Sequence, residues 1–170
     1  MAGDVLSDAS PLIALVQVIG LIWLQRLFGT VHVPPEVLAE VASGRGFAGE
    51  AEVLKAVHAG WLKVTGPAPA TPELPELDEG ETACIRLGVS VVTKAGAGQS
   101  SGVLILMDER AGRAVAQEHG LRVAGTAAVI GMAKSQGLIV SAKDVFSRLH
   151  ASDFRISTAV ISTVLKRVGE

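Results

Sequence analysis

Apolar residues along the chain fall into two patterns. Short runs, Asp4-Val5-Leu6-Ser7, Val31-His32-Val33, Trp61-Leu62-Lys63-Val64 and Val103-Leu104-Ile105-Leu106-Met107, have strand length. The last carries no polar position, as expected of a strand covered on both faces. Longer stretches with apolar residues on one side alternate with them and predict helices. Ser10-Pro11 reads as an N-cap followed by proline at the first helical position, opening a helix from about Pro11 to Phe28. Pro34-Pro35 opens a second, carrying Glu36, Val37, Leu38, Glu40 and Val41 and ended by Gly44 and Gly46. A third is expected from Ala48 to Ala59, and Asp78-Glu79-Gly80-Glu81 opens a fourth that runs through Gly88. Beyond the Val103–Met107 strand come a helix from Glu109 to His119, a short strand at Leu121–Val123, and a helix capped by Thr126 that ends near Gln136-Gly137. Two further helices are expected at about Ser141 to His150 and Ser157 to Val168.

Strands alternating with helices predict an α/β fold with a doubly wound parallel sheet. Ligands of such sheets sit beyond the carboxyl ends of the strands, where the strand order reverses. Two strands end in acids, Ser7→Asp8 and Met107→Asp108. Each acid alone reads equally well as a turn or capping residue. If the two strands are neighbours, the carboxylates face one cleft, where like charges raise each other's pKa unless a cation neutralises them. Mg²⁺ and Mn²⁺ are hard cations suited to carboxylates and water.

Composition narrows the class. At 170 residues and 49% hydrophobic, the chain fits a single domain, residues 1–170, with residues 141–170 as a C-terminal helical extension. One cysteine and no asparagine exclude an internal disulfide and N-glycosylation, and favour a cytoplasmic location. The most membrane-like run, Pro11 to Leu24, is 14 residues long, short of the roughly 20 needed to span, and no membrane role is expected. Residues 1–109 carry 13 acids and 6 Lys/Arg, whereas residues 110–170 carry 4 acids and 9 Lys/Arg. This asymmetry reads either as scatter over a solvated surface or as an acidic centre beside a basic region that meets an anion such as nucleic acid.

Other motifs carry less. Gly98-Gln99-Ser100-Ser101-Gly102 matches G-x-S-x-G, but a strand rather than a helix follows the serine, so a nucleophile elbow is not expected. Cys84 is expected in the core, and His32, His58, His119 and His150 have no ligand spacing. Asp78-x-x-Glu81 fits a capping box, which competes with a ligand role for Glu81. Glu36 and Glu40 share one helix face, and Glu36 is expected to face solvent.

Four stretches together resemble the PIN-domain nuclease family: LSDASPLI at 6–13, PPEVLAEV at 34–41, LDEGETA at 77–83 and LMDERAGR at 106–113. Gly120-Leu121, Gly125-Thr126, Ala133-Lys134 and the run Asp153 to Ser157 resemble its later part. The resemblance extends to the VapC-like toxin ribonuclease subgroup, often encoded beside small antitoxin genes. It implies a three-layer α/β/α fold with a mostly parallel central sheet, here with extra C-terminal helices. It implies a ribonuclease with Mg²⁺ or Mn²⁺ as cofactor and RNA as substrate, a protein antitoxin as partner, and a homodimer. By position, Asp8, Glu40, Glu81 and Asp108 would be the catalytic acids. Asp8, Glu81, Asp108 and Glu109 would be the metal ligands, with Ser10 supporting the first aspartate. Arg110 and Arg113 would contact RNA phosphate. Three other classes compete with this reading: an RNA-binding PIN-like module without useful turnover, a receiver-like signalling domain, and, last, a serine hydrolase at Ser100.

Overall fold

Five short strands take most of the apolar runs, and all of them pair in parallel. The structure, a computed structural model, describes residues 4–44, 47–95 and 102–170. The strands are β1 (Val5–Ser7), β2 (Val31–Val33), β3 (Leu62–Val64), β4 (Leu104–Leu106) and β5 (Arg122–Ala124). Their order is β3-β2-β1-β4-β5. From β1 the chain therefore builds outward to β2 and β3 on one side, then crosses to β4 and β5 on the other. The strand order reverses between β1 and β4, whose register pairs Val5 with Leu104 and Ser7 with Leu106.

Nine helices among the described residues complete the three-layer α/β/α fold. They are α1 (Ala9–Gln17), α2 (Leu21–Phe28), α3 (Pro35–Val41), α4 (Glu50–His58), α5 (Glu79–Ala95), α6 (Arg110–Glu118), α7 (Thr126–Ser135), α8 (Ala142–His150) and α9 (Thr158–Val168). Helix α5 packs on β1 and β4 with α3 and α6 beside it; α7 packs against α1, α2, β5 and α9. The core between them is aliphatic, with Leu12, Leu15, Leu24, Val31, Ile85, Ile105, Leu106, Ile130 and Leu149 almost wholly buried.

The structure differs from the sequence expectation in four local places. The expected single helix from Pro11 to Phe28 is two, α1 and α2, meeting at 116°. The break is at Ile19, which has φ 58°, and at Gly20, where a Cβ would fall 2.5 Å from the Trp23 ring. Trp23 buries itself over that glycine, and the chain turns to allow it. Helix α1 opens at Ala9 with Asp8 in the N-cap position, so Ser10 lies inside the first turn rather than at the cap. Helix α5 continues past Gly88 to Ala95 instead of ending there. Gly88 is a packing residue: a side chain at that point would meet Leu121 at 3.1 Å and Ile105 at 3.3 Å. Thr126 is the first residue of α7 and Gly125 holds the N-cap position. The G-x-S-x-G stretch falls largely outside the described residues. No single helix among the described residues is long and apolar enough to cross a membrane.

Ile19 offers a test of the turn. A β-branched side chain in left-handed backbone is strained by roughly 1–2 kcal/mol, and Ile19 is 83% exposed, so little packing offsets that cost. Replacing it by Asn, which tolerates this conformation, is expected to raise stability by about 1 kcal/mol, a shift of roughly 2–4 °C in Tm for a chain of this size. Thermal unfolding followed by circular dichroism reads it; an unchanged or lower Tm contradicts the assigned strain.

Candidate active site

Asp8 stands where the strand order reverses. Its amide donates to the Leu106 carbonyl across the β1–β4 pairing (2.9 Å), and the Asp8 carbonyl accepts from the Ser7 hydroxyl (2.9 Å). The side chain is 3% exposed, caps no amide of α1, and leaves Oδ1 buried without a hydrogen-bond partner. Burial pushes the Asp8 carboxyl up to about 7; the charges of Asp78, Glu40 and Glu81 push the same way, and the Ala9 amide partly offsets them.

The N-terminus of α5 supplies the next acid. Asp78 Oδ1 accepts from the Glu81 amide (2.8 Å) and Glu81 Oε2 accepts from the Asp78 amide (3.2 Å), so the expected capping box forms. The box engages one oxygen of Glu81 and leaves the other, Oε1, buried and unpartnered. The two readings of Glu81 are thus compatible, because the cap fixes the carboxylate while one oxygen stays available. Two glycines make room. A Cβ at Gly80 would lie 3.0 Å from Asp8 Oδ1, and one at Gly112 would lie 2.5 Å from Glu81 Oε1. Burial raises the Glu81 pKa, with the charges of Asp78, Glu109 and Glu40 adding to it.

Helix α3 forms the outer wall. Glu36, Glu40, Asp78 and Glu79 line a cavity of about 620 Å³ with Pro35, Ala39 and Gly80. Glu40 is exposed, and partial burial followed by the Asp78 charge raises its pKa. Glu36, expected in solvent, is half-buried and holds Oε2 out of water with no partner.

Asp108 sits differently. Its Oδ1 accepts from the Thr126 amide (2.8 Å) and its Oδ2 from the Thr126 hydroxyl (2.6 Å), so it ties the end of β4 to the start of α7. Burial raises its pKa; the Thr126 hydrogen bonds and the Arg113 charge lower it, and Glu109 raises it again. Arg113 Nη1 donates to the Met107 carbonyl (3.1 Å), and a Cβ at Gly125 would lie 2.8 Å from both Arg113 Nη1 and Asp108 Oδ1. The Glu109 charge acts on both Glu81 and Asp108, which places it between the two halves of the site. Arg110 is exposed at the first position of α6. Ser10 is half-buried in α1, and no hydrogen bond of its hydroxyl is found among the described residues.

These donors are hard oxygens, three of them buried and unsatisfied, and their chemistry suits a hard divalent cation. Among the described residues no three His, Cys, Asp or Glu side chains converge closely enough to enclose an ion as they stand. Cys84 is not suited to act as a nucleophile: it is wholly buried and burial drives its thiol well above the usual value. Sequence reasoning missed Asp78 and Glu36 as members of the acidic cluster and Thr126 as the partner of Asp108. Asp78 was visible only as a cap, and Glu36 shares the helix face of Glu40.

The buried carboxylate makes a prediction for the protein in chelator. A folded-state pKa raised from 3.8 to about 7 leaves stability untouched below pH 4 and lowers it as pH climbs through 7, because the unfolded chain ionises first. Asp8→Asn removes that penalty. The variant is expected to match the natural chain near pH 4 and to exceed it by on the order of 4 kcal/mol at pH 8. Urea unfolding at both pH values measures the difference; a gain independent of pH contradicts the assignment.

Comparison with known proteins adds the family. A PIN-domain family model matches residues 4–170. No curated protein and no solved structure matches the chain. With a match over nearly the full length, and with the parallel three-layer fold in place, the chain belongs to the PIN-domain family.

Proposed function

We propose that this protein is a metal-dependent endoribonuclease, and that it serves as the toxin of a toxin–antitoxin pair. PIN domains are generally nucleases and typically use divalent metals. The observation that carries the finer reading is the pair of buried, unpartnered oxygens, Asp8 Oδ1 and Glu81 Oε1, at the point where the sheet order reverses. A carboxylate kept out of water with no hydrogen bond costs several kcal/mol unless a cation meets it. Asp8, Glu81 and Asp108 would hold Mg²⁺ or Mn²⁺, with Glu109 and Glu40 at its margin. Such an ion supplies a more acidic bound water and neutralises charge on a phosphoryl group.

The chain contributes orientation. The capping box holds Glu81 in one pose, and the two Thr126 hydrogen bonds do the same for Asp108. Packing of α5 against β1 shields the Asp8 carboxylate from bulk water. Arg113, beside Asp108, is suited to a phosphate oxygen.

The toxin role draws support from another part of the surface. A cavity of about 870 Å³ between α1, α2 and α4 is lined by Val16, Ile19, Leu21, Ile22, Phe47 and Trp61. Ile19 and Ile22 are 83% and 45% exposed. Exposed apolar surface of this kind suits a partner chain, either the apolar segment of an antitoxin or a second subunit.

A second reading is an RNA-binding module without turnover. It is favoured by the lack, among the described residues, of three ligating side chains gathered around one point. Titration calorimetry with Mn²⁺ separates the two, since the nuclease requires binding and D8N should abolish it.

Cleavage of a single-stranded RNA in Mg²⁺ or Mn²⁺ is expected to fall by at least about 100-fold in Asp8→Asn and in Glu81→Gln. Circular dichroism should show both variants folded. Undiminished cleavage by either folded variant removes that residue from the site.

A further inference from the structure

The acidic centre opens on one side into a basic groove. A cavity of about 700 Å³ lies between α6, the start of α7, the 154–157 segment and α9, with Asp108 in its lining. Arg110 and Arg113 enter it from α6, Arg167 from α9, and Phe154 and Arg155 from the segment that leads into α9. Four arginines and one acid therefore line the same cavity. The one ion pair among the described residues is Lys134–Glu170 (3.1 Å), so none of the four arginines has a carboxylate within salt-bridge distance. Arg155 donates to the carbonyls of His150, Ser152 and Phe154, and Arg113 to that of Met107. Carbonyls orient these groups and leave their charge unneutralised. Among the described residues no hydrogen bond is found for the side chains of Arg110 and Arg167.

The α9 wall is held in place. Glu170 accepts from the amides of Ala142 and Lys143 (both 2.9 Å) and from the Ser141 hydroxyl (3.0 Å), which pins the end of α9 to the start of α8. At Gly131 of α7 a Cβ would lie 2.9 Å from Val164 of α9, so the glycine lets the helices close together. The groove is thus a built feature with surplus positive charge, and its ligand is an anion.

We infer that this groove is the path of the substrate strand. A single-stranded RNA lies along it with backbone phosphates on Arg110, Arg155 and Arg167, an unpaired base against Phe154, and the next phosphate at Asp108. The inference rests on the ribonuclease reading and supplies the binding residues that reading lacks. A volume near 700 Å³ falls within the roughly 300–1,000 Å³ typical of small-ligand sites, which suits a segment of one strand rather than a duplex. Guanidinium forks match phosphate oxygens, and a half-exposed phenyl ring next to them offers a stacking face for a base. Continuity with Asp108 favours a polynucleotide over an acidic polypeptide.

The test uses the full chain in chelator, so that binding is read without turnover. The probe is a fluorescein-labelled single-stranded 12-nucleotide RNA, followed by anisotropy between about 50 and 200 mM salt. Arg110→Gln with Arg167→Gln is expected to weaken binding about 10-fold at the lower salt and to reduce the log–log salt slope by about 1.4, the release expected for two single-strand phosphate contacts. Phe154→Leu should weaken binding at least about 5-fold with the slope unchanged. Lys63→Gln, on the opposite edge of the sheet, should change neither. Binding by the double arginine variant equal to that of the natural chain, or a loss no larger than that of Lys63→Gln, overturns the proposal. So does stronger competition by polyglutamate than by unlabelled RNA. Cleavage at unaltered KM in the double variant removes the groove and leaves the nuclease standing; groove-dependent binding without cleavage in Mg²⁺ or Mn²⁺ does the reverse.

Discussion

Where β1 and β4 lie side by side, Ser7 pairs with Leu106 and the Asp8 amide donates to the Leu106 carbonyl. That pairing joins segments nearly one hundred residues apart and sets the middle of the sheet. Everything chemical in the molecule hangs from it. The two strands finish at the same level, so Asp8, directly after β1, and Asp108, two residues past β4, emerge on the same edge. Helix α5 then packs over both strands and carries Asp78 and Glu81 to that edge from a third part of the chain. The cost of burying carboxylates is concentrated at one spot, as is usual at functional sites.

Structural and chemical roles coincide at this edge. Glu81 closes a capping box with one oxygen and presents the other; Asp108 secures the start of α7 through Thr126 while its neighbour Glu109 faces Glu81 electrostatically. A helix cap and a metal ligand are often treated as competing explanations for an acid. Under the proposed metal role the cap would fix the ligand, because a carboxylate with one oxygen tied to a backbone amide has already lost the rotamer freedom it would otherwise surrender on binding. The glycines at 80, 112 and 125 belong to the same design: each leaves the space into which a carboxylate or guanidinium reaches.

The charge asymmetry along the chain has a spatial counterpart. Acids of the first part gather on α3, α5 and the β1 edge. Arginines of the last part gather on α6, the 154–157 segment and α9. The two fields meet at Asp108 and Arg113, so a polyanion drawn to the basic side would arrive beside the acids. Neither half would act alone: acids by themselves repel a phosphodiester, and arginines by themselves hold it without chemistry.

Much of this was legible in the residues. The alternation of apolar runs and helical segments is local, so it determined the α/β class; Asp8 and Asp108 at strand ends and the Asp78–Glu81 box are local patterns too. Tertiary structure decided the rest, wherever a residue answers to a distant neighbour. Ile19 and Gly20 break a helix because Trp23 needs the space, and Gly88 fails to end one because Leu121 and Ile105 need theirs. Glu36 lost its expected solvent because α5 docks beside α3. Arg110 and Arg167 lie 57 positions apart and share a groove only once α9 has closed on α7. Hydrophobic periodicity records which face of each element is buried; which charged groups then meet depends on how the elements cross, and that is settled by long-range packing.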